Sequence, residues 1–406
     1  MDVTRAEKCR SCGGGLGDLW DLGEQHVVGF YNPDAIPAEP AVPLVLAMCE
    51  APECGLVQLR HSVSRDRLFS HDYWYRSGIN ESMVSALADV TSKAMQILSH
   101  PLLPEDTVID IGANDGTLLK TYPSCCKVAY EPSESFREEL GKVADICVSE
   151  FFPSLHYAPA GGTVKIITAI AMLYDLEDPQ AFVAEVKRLL HPEGVFVAQF
   201  SGISTLVNQG AFDSICHEHL EYYSMKSLLY LFGCHDLIVQ RVEFNGVNGG
   251  SLRVYVRHAG AAQPEPTVQF YLQQEGNTYF PETYEELSAA VARAKWRVKE
   301  HLHTHQTLGG IVTAYGASTK GLTLFQYFGL DSEVIQAIAE RNPEKHGLLY
   351  GHTGIPIVSE EEWRKVASLA VIGPWHFREG ILQREGQWLA DGGKFLFPLP
   401  EVQVIG

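Results

Sequence analysis

The densest concentration of reactive side chains is Phe212-Asp-Ser-Ile-Cys-His-Glu-His-Leu-Glu-Tyr-Tyr-Ser, with imidazoles, carboxylates, two phenols and a thiol in one short stretch. Imidazole titrates near neutrality and suits removal of a proton from a carbon next to a carbonyl. A neighbouring carboxylate such as Glu218 could orient an imidazole or raise its basicity. Two other readings stand beside this one. His217 and His219 could be metal ligands, although no third ligand falls at a helpful spacing, or they could be surface histidines.

A second reactive locus is Val108-Ile-Asp-Ile-Gly-Ala-Asn-Asp-Gly-Thr-Leu-Leu, which reads as a strand, a glycine turn and a helix. A dinucleotide fingerprint needs Gly-x-Gly-x-x-Gly, but here Asn114 intervenes and glycines fall only at Gly112 and Gly116. Asp110 in the strand and Asp115 in the loop would repel a pyrophosphate. They would attract the cationic sulfonium and amino group of S-adenosylmethionine. Glu131, about twenty residues on, ends a second strand, where a carboxylate accepts ribose hydroxyls. Glu150-Phe-Phe follows the third strand, and Phe151 is placed to enclose an adenine ring. The pattern is that of a class I methyltransferase; the bland alternative is a Rossmann-type loop that binds nothing.

Cys9-x-x-Cys12 and Cys49-x₄-Cys54 form two knuckle-like pairs about 37 residues apart. A short gap lets both sulfurs of a pair reach one zinc ion, and four thiolates leave no open position, so the expected zinc is structural. The alternative is four buried free cysteines. The remaining five cysteines bring the count to an odd nine. With no secretory signal at the start, a disulfide framework is not expected and a reducing cytoplasm is.

The elements that must position these groups follow from periodicity. Asn80 is placed to cap a helix carrying the apolar stripe Met83, Leu87, Val90, Met95 and Leu98. From Thr107 to about Ser201, short apolar strands alternate with helical segments, the signature of a doubly wound parallel sheet. Ser251-Leu-Arg-Val-Tyr-Val continues it. A linker is expected near residue 259, then a long helix opened by a capping box at Thr283, then a second α/β pattern from Ile311. The expected organisation is α/β in three parts: a zinc-binding domain over 1–70, a methyl-donor domain over 71–258 and a Rossmann-like domain over 259–406.

Composition narrows the function classes. The 406 residues are 46% hydrophobic and carry a net charge of −19, which fits a folded enzyme and argues against binding a nucleic-acid backbone. No window is apolar enough for a membrane span.

Several motifs in order resemble the sugar C-methyltransferases that act on nucleotide-linked 4-keto-deoxyhexoses. They are the four cysteines, Tyr73-Trp-Tyr-Arg-Ser-Gly, Asp110-Ile-Gly-Ala-Asn-Asp-Gly-Thr-Leu, His217-Glu-His-Leu-Glu-Tyr-Tyr-Ser, Asn248-Gly-Gly-Ser-Leu-Arg-Val-Tyr, Tyr315-Gly-Ala-Ser-Thr-Lys-Gly, Asn342-Pro-Glu-Lys-His-Gly and Pro374-Trp. The resemblance spans essentially the whole chain. It implies a base that removes the C-3 proton of a nucleotide-diphosphate 4-keto sugar, and an enolate that attacks the sulfonium methyl, in deoxysugar or natural-product biosynthesis. By position the base would be His219, with Glu218, His217 and Tyr75 beside it. Arg76, Tyr222, Asn248, Ser318, Lys320 and Lys345 would hold the substrate, Lys320 by charge at a helix N-terminus; the alternative for Ser318 is a helix-capping turn. The protein would be a monomer or weak oligomer. Cys216 stands where some members carry Tyr, and Met172-Leu-Tyr-Asp-Leu stands where others place a histidine; both bear on substrate identity. Methylation of a sugar oxygen or nitrogen, or of a carbon acid that is not a sugar, are the rival chemistries.

Overall fold

The computed structural model describes residues 2–69, 75–154, 156–157 and 159–406. Tyr73 and Trp74 of the aromatic motif lie outside the described residues.

Seven strands form the central sheet: Thr107–Ile111, Cys126–Tyr130, Ile146–Val148, Val164–Ile170, Leu190–Phe200, Leu237–Asn245 and Ser251–His258. Numbered along the chain, their order across the sheet is 3-2-1-4-5-7-6. The first five are parallel and the last two add an antiparallel hairpin. Parallel strands covered on both faces must be apolar along their length, and Val108, Ile109, Val164, Ile166, Ile167, Val195, Phe196 and Val197 are fully buried. Asn80 caps the helix Glu81–Ile97 by accepting from the Ser82 amide, and that helix buries Met83, Leu87 and Val90.

The C-terminal part is a second wound sheet. Its parallel core, Val312–Tyr315, Ile338–Glu340, Ile355–Ser359, Leu369–Ile372 and Lys394–Phe397, has the order 3-2-1-4-5. The long helix in front of it begins at Pro281, not at a Thr283 capping box: proline takes the first turn, and the Thr283 hydroxyl donates to the Asn277 carbonyl at 2.7 Å. Helix Pro266–Gln274, past the expected linker at 259, still packs on the first sheet, tied by the Arg241–Glu265 ion pair and buried Val268.

The N-terminal module is a joint between the two sheets. Its strands Leu16–Gln25, Val42–Cys49 and Val57–Leu59 take Glu221–Tyr222, the strand just after the His-Glu-His segment, as an edge. Its strand Phe30–Tyr31 pairs with Leu349–Tyr350 at the edge of the C-terminal sheet. No helix among the described residues is long and apolar enough to cross a membrane.

Candidate active site

The four N-terminal cysteines converge. Their Sγ atoms all lie within 4.8 Å of one another, Cys9 to Cys54 at 3.8 Å and Cys12 to Cys49 at 3.3 Å. Zinc–sulfur bonds of about 2.3 Å at tetrahedral angles space sulfurs by about 3.8 Å, so the donor set fits one zinc. The bond to Cys54 and burial raise the Cys9 thiol, and burial pushes Cys49 up to about 12. These thiols are therefore poor acids until a cation compensates their charge. The cluster packs into the core of the methyl-donor sheet with Leu56 and Tyr223.

A cavity of about 470 Å³ opens at the carboxyl edge of that sheet, where wound sheets bind ligands. At one end Gly112 turns the chain with φ +72°, and Asp110, Ala113, Asn114, Glu131 and Phe151 line the wall. Glu131 accepts the Asn114 amide on one oxygen (2.8 Å) and the Ser133 amide on the other (2.9 Å). Each oxygen keeps a lone pair, so two vicinal hydroxyls remain possible ligands. Asp110 accepts from the Thr168 hydroxyl at 2.6 Å, and burial pushes its carboxyl up to about 8. In the free protein it holds a proton at neutral pH; a cationic amino group would draw it to ionise. The apolar and acidic lining suits S-adenosylmethionine, which these residues would hold.

Two loop residues face elsewhere. Asp115 accepts from the Gly78 amide at 2.7 Å and the Thr117 hydroxyl at 2.6 Å, and Gly116 backs onto Leu140. Neither lines the cavity. Asn114, at φ +51°, accepts from Ser77 and donates to the Tyr75 carbonyl, so its side chain holds the 75–78 segment across the loop. That segment brings Tyr75 to the cavity wall, where its phenol stays partly exposed and, with an ordinary tyrosine's high pKa, can donate.

The His-Glu-His residues divide. His217 is buried, bonds the Val42 carbonyl at 3.2 Å, and is lowered by burial to about 4. It joins the segment to the N-terminal module and is not in the cavity. His219 is placed differently: its ring lies 4.2 Å from that of cavity-lining Tyr174, and its Nδ1 meets the Ser214 carbonyl at 2.9 Å. A carbonyl only accepts, so Nδ1 carries the proton and Nε2 keeps its lone pair. Burial, and then the charge of Lys320, lower the imidazole to about 3, so it is neutral. His219 is half-buried at the cavity's edge, its ring packed on the lining residue Tyr174. Glu218 has a buried Oε2 without a partner, and Tyr222 reaches the Ser214 carbonyl at 3.4 Å, away from the cavity.

Of the expected substrate residues, Lys320 and Asn248 line the cavity. Ser318 caps its own helix, Thr319–Phe328, by accepting from Gly321. Lys345 is buried against the Phe30 ring and donates to the Ala317 carbonyl at 2.9 Å, supporting the turn before Lys320. Arg76 pairs with Glu139 at 3.0 Å, outside the cavity. Arg65 lies over the Phe151 ring at 4.3 Å instead, so Arg65 and Lys320 are the two cations lining the cavity among the described residues.

Sequence reasoning missed Arg65, Asp175 and Gln199. Gln199 is the more legible: a polar residue near the carboxyl end of an otherwise apolar strand. Its oxygen takes Arg253 at 2.7 Å and Asn245 at 3.0 Å, which fixes the amide at the cavity wall.

Two outcomes follow. Cys12→Ser should drop bound zinc from about one per chain to near zero, measured by mass spectrometry. Losing even about 3 kcal/mol of metal-linked stability lowers a thermal midpoint by about 3–4 °C in a chain of 406 residues; an unchanged midpoint would count against a structural metal. S-adenosylhomocysteine should bind with proton release below about pH 8, its affinity rising by up to about tenfold per pH unit from pH 6. In Asp110→Asn, calorimetry should find weaker binding without that slope.

Three family models tile the chain: a zinc binding domain over 9–69, a methyltransferase domain over 80–239 and a C-methyltransferase C-terminal domain over 246–400. The C-methyltransferase NovU of Streptomyces niveus is 28% identical over 422 aligned residues, covering 100% of this chain and 98% of that protein. Partial overlaps occur with the PH0226 protein of Pyrococcus horikoshii (15% identity, 45% of this chain and 94% of that one, TM-score 0.36). Another is with mitomycin 7-O-methyltransferase MmcR (18%, 45% and 55%, TM-score 0.35). These domain matches in this order, over the cysteine cluster and the cavity, support an S-adenosylmethionine-dependent C-methyltransferase.

Proposed function

We propose that the chain methylates a nucleotide-linked 4-keto-deoxy sugar at C-3, through an enolate, with His219 as the base. The observation that carries this reading is the tautomer of His219: Nδ1 is committed to the Ser214 carbonyl, which leaves the lone pair of Nε2 free on a ring that packs against Tyr174 and senses the charge of Lys320. A neutral imidazole base and positive charge near the same cavity suit enolisation, in which a C–H proton leaves and charge grows on a carbonyl oxygen.

Tyr174 and Lys320 line the cavity, so a substrate seated there would lie against the ring that packs on the imidazole and the cation that acts on it. His219 Nε2 takes the proton from the carbon, the C–H electron pair becomes part of a C=C bond, and the carbonyl oxygen gains the charge. Bound S-adenosylmethionine supplies the electrophilic methyl group. Lys320 contributes positive charge from the C-terminal sheet, and local charge of this kind is where most of the rate of an enolisation arises. It also depresses the basicity of His219 in the free enzyme. An anionic substrate would offset that charge and return basicity to the imidazole when it is needed. Arg65 offers a second cation for a diphosphate, and Tyr75 a hydroxyl donor.

His219→Asn should lower kcat by about 10³-fold or more on a nucleoside-diphosphate 4-keto-6-deoxyhexose, while S-adenosylhomocysteine binds within about twofold of the original. A variant that still turns over at near the original rate would favour transfer to oxygen or nitrogen.

A further inference from the structure

Asp175 ends the turn Leu173–Asp175, just past the carboxyl end of the fourth strand, and it lines the cavity. Its Oδ1 is enclosed by protein and has no hydrogen-bond partner among the described residues. The charges acting on it are those of other carboxylates, first Glu218 of the His-Glu-His segment and then Glu221 of the following strand. Cys216 and Tyr222 are the other titratable groups that sense its charge. Glu221 has compensation, since Oε2 accepts the Leu176 amide at 3.2 Å and Arg10 lies 3.9 Å from Oε1. No cation contacts Asp175 among the described residues.

Ionising Asp175 would place an unpaired charge in a half-buried site within the field of two other acids, an arrangement that favours the neutral form. Burial and both neighbours indeed push its carboxyl far above the usual range. A neutral carboxyl has one O–H to donate. Neither Glu218 nor Glu221 is hydrogen-bonded to it among the described residues, which leaves that O–H available to a molecule bound in the cavity.

We propose that Asp175 is a further catalytic residue, a protonated carboxyl lining the cavity that donates a hydrogen bond to the substrate's carbonyl oxygen as that oxygen becomes an enolate. The inference rests on the enolate reading above. In the step it serves, the C–H electron pair moves into the C–C bond, the carbonyl π pair moves onto oxygen, and the proton leaves to His219 Nε2. The proton on Asp175 stays with its carboxyl, so the acid stabilises charge without being consumed. A carboxyl held neutral by an apolar site is a strong donor to an oxyanion.

The test is hydrogen exchange into D₂O at the carbon beside the ketone, followed by NMR with a nucleoside-diphosphate 4-keto-6-deoxyhexose and S-adenosylhomocysteine bound, so that no methyl moves. The unaltered enzyme should exchange that hydrogen; failure to do so overturns the enolate reading itself. Asp175→Ala should slow exchange by about 10²–10³-fold, the usual effect of losing one oxyanion donor. Asp175→Asn, which keeps an N–H donor but cannot ionise, should stay within about tenfold of the original. Thermal melts and S-adenosylhomocysteine affinity should be unchanged in Asp175→Asn. With exchange intact in the unaltered enzyme, either of two results overturns the role of Asp175. One is exchange at the original rate in Asp175→Ala. The other is Asp175→Asn as inactive as Asp175→Ala, which would mean the ionised form acts.

Discussion

The hydrogen bond between His219 Nδ1 and the Ser214 carbonyl depends on a backbone segment that three parts of the molecule hold at once. Phe212, Ile215 and Leu220 are packed in the core that contains the C-terminal sheet. The Leu220 carbonyl accepts the Leu59 amide at 2.8 Å, and Glu221–Tyr222 then completes the N-terminal sheet. Tyr223 and Met225 enter the core of the methyl-donor sheet. An imidazole works as a base only in the correct tautomer and direction. Here both are set by main-chain positions that no single domain determines. This gives the cysteine cluster a structural part to play: it fixes the module that joins the two sheets.

Charge poses a second constraint. A chain with a net charge of −19 cannot draw an anionic substrate in from long range. The cavity is itself rich in carboxylates, including Asp110, Glu131 and Asp175. Such a lining suits a cationic methyl donor, and on the proposed reading the capture of an anionic substrate would fall to Arg65 and Lys320, one from each flanking part. Neutral forms matter as much as charged ones. Burial holds Asp110 near 8, keeps His219 unprotonated and raises Asp175, so in the free protein the site is less charged than its residue list suggests.

Much of this was legible in the sequence because it is local. The glycine turn after a buried strand, Glu131 at the end of the next strand and the cysteine spacing each occupy a short window with a distinctive composition. Lys320 was legible as a cation at a helix start, although its place in the cavity was not. What failed was direction. His217 and His219 are two residues apart in an irregular segment, and only packing decides that one faces Val42 and the other Tyr174. Arg76 and Arg65 are equally basic, and only the fold shows Glu139 capturing the first and Phe151 receiving the second. Asp115 resembled a ligand residue because loops present their side chains, yet the backbone of 75–78 claimed it. The joint formed by Phe30–Tyr31 and Glu221–Tyr222 left no trace, since two-residue strands carry no period.

The most direct measurement is the position of the transferred carbon. Turnover of a nucleoside-diphosphate 4-keto-6-deoxyhexose with ¹³C-methyl-labelled S-adenosylmethionine, read by NMR, should give a label bonded to ring carbon C-3, with the C-3 hydrogen lost. A label attached to oxygen or nitrogen would contradict the enolate chemistry assigned to His219.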